Sequence, residues 1–273
     1  MAFDLIRRIE LLRLDYLFSV LIPIFLAIYL NELNPFNHFD IIIGFTLLGI
    51  TGNTWNDFFD MKNPEDKLTK ERVEGYHSRE IFSIGLGSLF LGITLLIRTC
   101  IQNFMNAIIL GLIVFLVLLY CVSLKSVPIL NNIILVFSHV ILPYYIIKID
   151  SAVSLLWLSE IVILIAFFLF SVTAQFVHEV IDGEALFKEY SLKTCQIIIW
   201  ICSISTLIFA ILGIFLLTDF YFLPFLFIPF GIIFTFRKPT RSTQGVKDVG
   251  ILLGNLLLVY FICLIILRMN GFA

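Results

Sequence analysis

The chain has 273 residues, 60% of them hydrophobic and 14% charged, with a formal net charge of −2 and a mean hydropathy of +1.04. Soluble domains run at roughly 45–50% apolar and about 25% charged, so a water-soluble globular protein is excluded, and no basic region exists to bind nucleic acid. Apolar residues recur along the whole length, and a span takes about 20 of them, so the composition describes an all-α polytopic membrane protein.

The opening stretch, MAFDLIRRIELLRLD, has no cleavable-signal pattern. Its hydrophobics recur at helical spacing with Arg7, Arg8 and Arg13 between them, which predicts an interfacial helix over 1–14. Nine spans are expected after it, at approximately 15–31, 39–59, 81–98, 104–123, 129–147, 153–176, 196–217, 219–236 and 249–268. They form a single bundle over 1–273. In the third span Gly85, Gly87 and Gly92 suit close helix packing. The five cysteines, Cys100, Cys121, Cys195, Cys202 and Cys263, make no CxxC pair and read as small core residues rather than a disulfide or zinc framework.

With the N-terminus inside, fifteen of the 18 lysines and arginines fall on the cytoplasmic side, and only Arg98, Lys148 and Arg268 fall outside. Lys/Arg excess marks the cytoplasmic face. This supports the orientation, with the C-terminus outside, and the count of nine. The expected address is the cell membrane, crossed many times.

Two polar clusters end spans on that face. In NTWNDFFDMKNPEDK, Asn53, Asn56, Asp57 and Asp60 are spaced by three and four residues and share one helical face. Asp66 follows in the loop. In QFVHEVIDGE, Gln175, His178, Glu179 and Asp182 repeat the arrangement, with Glu184 beyond. The segments 60–80 and 177–195 thus read as the loops of a cytoplasmic active site. Solvated helix ends would explain one such cluster, since interfacial charge is cheap; two matched clusters point further. Grouped carboxylates repel each other, and a divalent cation relieves that. Carboxylate and amide oxygens suit Mg²⁺, which brings a phosphate ligand with it.

The expected chemistry follows. Mg²⁺ on an allylic diphosphate neutralises charge that grows as the C–O bond breaks. A dry cavity then shelters the carbocation until an acceptor captures it. Arg72, Arg79, Lys125, Lys188 and Lys193 are the cations available for the diphosphate.

These residues resemble the UbiA superfamily of membrane prenyltransferases. NDFFD (Asn56 to Asp60) is similar to the family's NDxxDxxxD motif. HEVIDGE (His178 to Glu184), with Lys193-Thr194 after it, is similar to the second acidic motif. YCVSLKSVPILNN (Tyr120 to Asn132) resembles YxxxLKxxPxxxN between spans four and five, and LLRLDYLFSVLIP resembles the lead-in to the first span. The resemblance covers essentially the whole chain.

By that similarity Asn56, Asp57 and Asp60 hold Mg²⁺ and the diphosphate of a polyprenyl donor, with Asn53 beside them. Glu179, Asp182 and Glu184 do so from the second motif. Lys125 and Tyr120 contact the diphosphate or the acceptor, and Arg72, His178, Lys188 and Lys193 join the substrate contacts. The chain departs from the family where Pro64 and Leu186 stand at positions expected to be aspartate.

From position alone, Lys125 reads equally as an inner-loop orientation signal, Tyr120 as an interfacial anchor, and His178 as a proton acceptor or a helix-end histidine. His139 reads as a packed polar residue between helices, and Glu160 as a costly membrane carboxylate that pairs with a neighbouring helix. Prenyl transfer to an aromatic or glycerol-phosphate acceptor is the expected activity. A terpene cyclase, a transporter and a non-catalytic lipid-binding paralogue are the alternatives.

Overall fold

A computed structural model describes residues 10–62, 67–153, 155–237 and 244–271. The expected helix over 1–14 lies largely outside the described residues. Asp66 and Pro64 lie outside them altogether.

Among the described residues every regular element is helical. A 3₁₀ turn, Leu14–Tyr16, leads into α1 (Phe18–Leu30). Then come α2 (Phe39–Asp60), α3 (Lys67–Val73), α4 (Ser78–Gln102) and α5 (Phe104–Leu119). The wide turn Tyr120–Leu124 extends α5. The next pass is α6 (Leu130–Val136), a second wide turn at Phe137–Ile141, and α7 (Leu142–Asp150). After it lie α8 (Leu158–Asp182), α9 (Ala185–Glu189), α10 (Leu192–Leu217), α11 (Phe227–Thr235) and α12 (Gln244–Met269).

Six of these helical segments are long and apolar enough to cross a bilayer: Ser78–Gln102, Phe104–Leu124, Leu130–Asp150, Leu158–Asp182, Leu192–Leu217 and Lys247–Met269. The protein is therefore a polytopic helical membrane protein. The other expected spans are helical too, but Leu14–Leu30 and Phe220–Thr235 are shorter, and the last turns of α2 carry Asn53, Asn56, Asp57 and Asp60. The expected loops 60–80 and 177–195 contain α3 and α9.

α2 packs along α4, α8 along α10, and α12 along α1. Gly92 of α4 meets α2 so closely that a Cβ there would lie 3.0 Å from the Gly44 carbonyl, and one at Gly85 would lie 2.5 Å from the Trp55 ring. Gly87, expected to share this role, faces open space.

At the end away from the acidic clusters, buried ion pairs join the helices. Lys148 donates to Glu160 (Nζ to Oε1 2.9 Å) and to Asn31 Oδ1 (2.6 Å). Tyr144 Oη and Asn31 Nδ2 also donate to Glu160, and Glu160 Oε2 accepts the Trp157 amide that starts its own helix (2.9 Å). Glu160 thus finds the partner its sequence position demanded, as a membrane carboxylate must. Lys148, assigned from sequence to the outer face, is fully buried. The other two cations assigned from sequence to that face are also paired, Arg98 with Asp40 (2.6 Å) and Arg268 with Glu32 (2.6 Å).

Candidate functional site

Three local devices deliver polar side chains to one place. α2 stays helical through Asp60, so its polar face runs straight on from an apolar helix. At the end of α8, Gly183 adopts φ 72°, the left-handed conformation glycine reaches without strain. The chain folds back there, and the Glu184 amide donates to the Glu179 carbonyl (2.8 Å). After α5 the turn Tyr120–Leu124 widens to π geometry, with the Lys125 amide bonding the Tyr120 carbonyl (3.1 Å). Such single wide turns occur frequently at functional sites.

Together they frame a cavity of about 710 Å³. Its mouth is lined by Asn53, Asn56 and Asp60 from α2, by His178, Asp182 and Glu184 from the end of α8, and by Tyr120 and Lys125 between them. Arg13, Arg72, Lys188 and Lys247 complete the charged rim. Farther in, the wall is Phe45, Leu48, Ile113, Val117 and Leu135. The cavity thus has a charged mouth and a mainly apolar interior.

Lys125 sits at the meeting point of the two acidic clusters. Its ammonium donates to Asp60 Oδ2 and lies 3.7 Å from Glu184 Oε1. Asn56 Nδ2 holds the same Asp60 oxygen (2.7 Å). On the other side Lys247 donates to Asp182 Oδ2 (2.6 Å), and His178 Nδ1 lies 3.1 Å from that oxygen. Burial pushes the Glu184 carboxyl above its ordinary range; Lys125 pulls it down, and Asp182, Asp60 and Glu179 add to the rise.

Not every expected residue faces the cavity. Asp57 is wholly buried behind the rim, its Oδ1 bonded to Arg72 (2.6 Å) and 3.6 Å from Arg13. Its role in the fold is to aim those two guanidinium groups. Its Oδ2 has no partner among the described residues. Glu179 is also buried. It accepts from Asn131 Nδ2 on one oxygen and from the Leu186 amide (2.9 Å) on the other. Both Glu179 oxygens are thus occupied by donors that seat α6 and α9. Lys193 is exposed in the first turn of α10 and is not among the cavity-lining residues. The neighbouring Asn131 also donates to the Lys125 carbonyl (3.3 Å), so one amide ties the second acidic motif to the lysine turn.

Arg13, Lys247 and His139 line the cavity but escaped the sequence reading, Arg13 having been taken only as a cation of the interfacial helix. Lys247 counted there only as an inner-side cation, since no spacing argument connects position 247 to position 182. His139 was read as packed between helices but lines the cavity. The signal available was Pro143, four residues on, which supplies no amide to the helix ladder.

Apart from the His178 imidazole, the metal-ligating groups on the rim offer oxygen atoms, the kind a hard cation takes. Among the described residues no three His, Cys, Asp or Glu side chains are gathered into a ready metal cage, and Asp60 and Asp182 each face a lysine. Mg²⁺ does not require such a cage: it is usually held by one or two carboxylates plus substrate phosphates. Asn56 and Asp60 on one side, with Asp182 and Glu184 on the other, fit that pattern.

Compared with known proteins, the chain matches no family model, no curated protein and no solved structure.

Proposed function

We propose that the protein is a membrane prenyltransferase, transferring a polyprenyl group from an allylic diphosphate to a small acceptor at the cytoplasmic face. One observation carries the reading. Three of the four sequence stretches that resemble the UbiA superfamily meet at a single atom, Lys125 Nζ, with Asp60 and Glu184 both against it. The charged mouth and mainly apolar interior match a ligand with a diphosphate head and a hydrocarbon tail.

On this reading all nine helical passes cross the bilayer, with the N-terminus in the cytoplasm and the cavity mouth on that side. Fifteen of the 18 lysines and arginines then lie inside. The three on the other side are each paired with an acid.

Asn56, Asp60, Asp182 and Glu184 would hold Mg²⁺, which supplies charge neutralisation on the leaving diphosphate. Lys125, Arg72, Arg13 and Lys247 contribute cations to the same oxygens. Asp57, buried behind the rim, holds both arginines in place. When the diphosphate arrives, Lys125 and Lys247 exchange a carboxylate partner for a phosphate one, which leaves Asp60 and Asp182 free to act as ligands. The apolar wall of Phe45, Leu48, Ile113 and Val117 keeps water from the allylic carbon.

The test is transfer of label from geranylgeranyl diphosphate, with Mg²⁺, to a lipid-extractable product. 4-Hydroxybenzoate and geranylgeranylglyceryl phosphate serve as separate acceptors. A labelled adduct with either one, lost in Lys125→Ala, supports the proposal. Mg²⁺-independent turnover, or none with donors of any length, removes it.

A further inference from the structure

Beyond the rim the cavity wall is mainly apolar; Ser19 of α1 and Gln175 of α8 add polar groups, and one further stretch adds two more. The pass Leu130–Asp150 widens to π geometry over Phe137–Ile141, with the Leu142 amide reaching back to the Phe137 carbonyl. Pro143 follows at once and brings no amide to the ladder. The wide turn turns Ser138 and His139 toward the cavity, where both line the wall beside Leu135 and Pro143. His139 lies nine residues into this pass, roughly 13 Å along the helix axis from Leu130. It therefore stands well inside the bilayer end of the cavity, below the charged mouth.

Ser138 spends its hydroxyl on the Leu135 carbonyl (2.6 Å). The same carbonyl is within reach of the His139 ring. Among the described residues no side chain pairs with the imidazole. His178, the other cavity imidazole, is engaged at the rim by Asp182. A hydrocarbon tail alone would leave a His139 nitrogen without a partner in an apolar wall, an arrangement folded proteins avoid.

We infer that His139 binds the acceptor, accepting a hydrogen bond from a hydroxyl group that the acceptor carries into the apolar part of the cavity. This rests on the prenyl-transfer reading and narrows it: the acceptor is a hydroxylated molecule, either a phenol or a glycerol-type alcohol. Where the hydroxyl oxygen itself forms the new C–O bond, its proton passes to the free imidazole nitrogen. The electron pair of the broken C–O bond leaves with the diphosphate.

The experiment uses the full chain in detergent and two matched pairs of probes. One is geranylgeranyl hydroquinone with its dimethyl ether, and the other is 1-O-geranylgeranylglycerol with its methyl ether. Equilibrium binding is measured in wild type, His139→Phe and His139→Gln, with geranylgeranyl diphosphate binding as the control for an intact fold. One hydrogen bond predicts that wild type prefers the hydroxylated member of one pair by about tenfold. The preference should vanish in His139→Phe and persist in part in His139→Gln, with donor binding unchanged. Which pair shows it identifies the acceptor type. Equal binding of both members in wild type, or a preference that His139→Phe leaves intact, overturns the inference. Mg²⁺-dependent diphosphate release is scored separately. Release without hydroxyl preference removes only the role of His139, and preference without release removes the transfer reading.

Discussion

Lys125 and Glu184 face each other across the mouth of the cavity, Nζ to Oε1 3.7 Å, although 59 positions separate them in the sequence. The same ammonium also holds Asp60, so a single side chain bridges the ends of α2 and α8. Replacing Lys125 with Met leaves two carboxylates facing each other without their shared cation. The account expects donor affinity to fall by at least tenfold in equilibrium binding, since charge-assisted bonds to phosphate are strong. A drop in thermal stability with donor affinity intact would assign Lys125 a structural role instead.

Glu184 yields a pH dependence. Its carboxyl is raised above the ordinary 4.5, first by burial, so the folded state binds the proton more tightly than the unfolded state. Its contribution to stability is full below the unfolded value and is lost as pH rises through the folded one. Thermal unfolding across pH 4 to 8 should show wild type losing stability relative to Glu184→Gln as pH rises, then running parallel. A constant offset at all pH values would contradict the burial.

Glu179 and Asp182 are three residues apart in one helix and behave differently. Glu179 is saturated by Asn131 and the Leu186 amide. Glu179→Ala strips the Leu186 amide of its partner and Asn131 of one of its two, and should cost about 1–3 kcal/mol of stability. Asp182 faces the cavity and is held by Lys247. Asp182→Asn should leave stability nearly unchanged and weaken Mg²⁺-dependent donor binding. Melting curves and donor binding on both variants separate the two roles.

The Lys148–Glu160 pair is fully buried at the opposite end. Breaking it with Lys148→Met strands a charge and should cost about 3–5 kcal/mol. The double variant Lys148→Met/Glu160→Leu removes both charges and should recover much of that loss. A double variant less stable than the sum of the singles would show that Asn31 and Tyr144 depend on the pair.

The helical class and the two acidic clusters were legible because they rest on local signals: apolar run length, and polar residues spaced by three and four. The same spacing put Asp57 and Glu179 on the polar faces, yet both are turned into the protein. Sequence periodicity gives the face of a helix, not which neighbour its side chain meets. Lys247 and Asn131 depend on contacts between distant segments and left no local trace. His139 lies within the π turn Phe137–Ile141, which shifts the helical register that the spacing assumes. Lys148 was read as a loop charge because its partner Glu160 lies in another helix.

The most direct test is binding of labelled geranylgeranyl diphosphate, with and without Mg²⁺, to wild type, Asp60→Ala and Asp182→Ala in detergent, with diphosphate release followed alongside. The account predicts Mg²⁺-dependent binding and release in wild type, both reduced at least tenfold in each variant while the fold is kept. Binding that ignores Mg²⁺ and both substitutions, for shorter and longer donors alike, would contradict it and leave the two clusters as solvated helix ends.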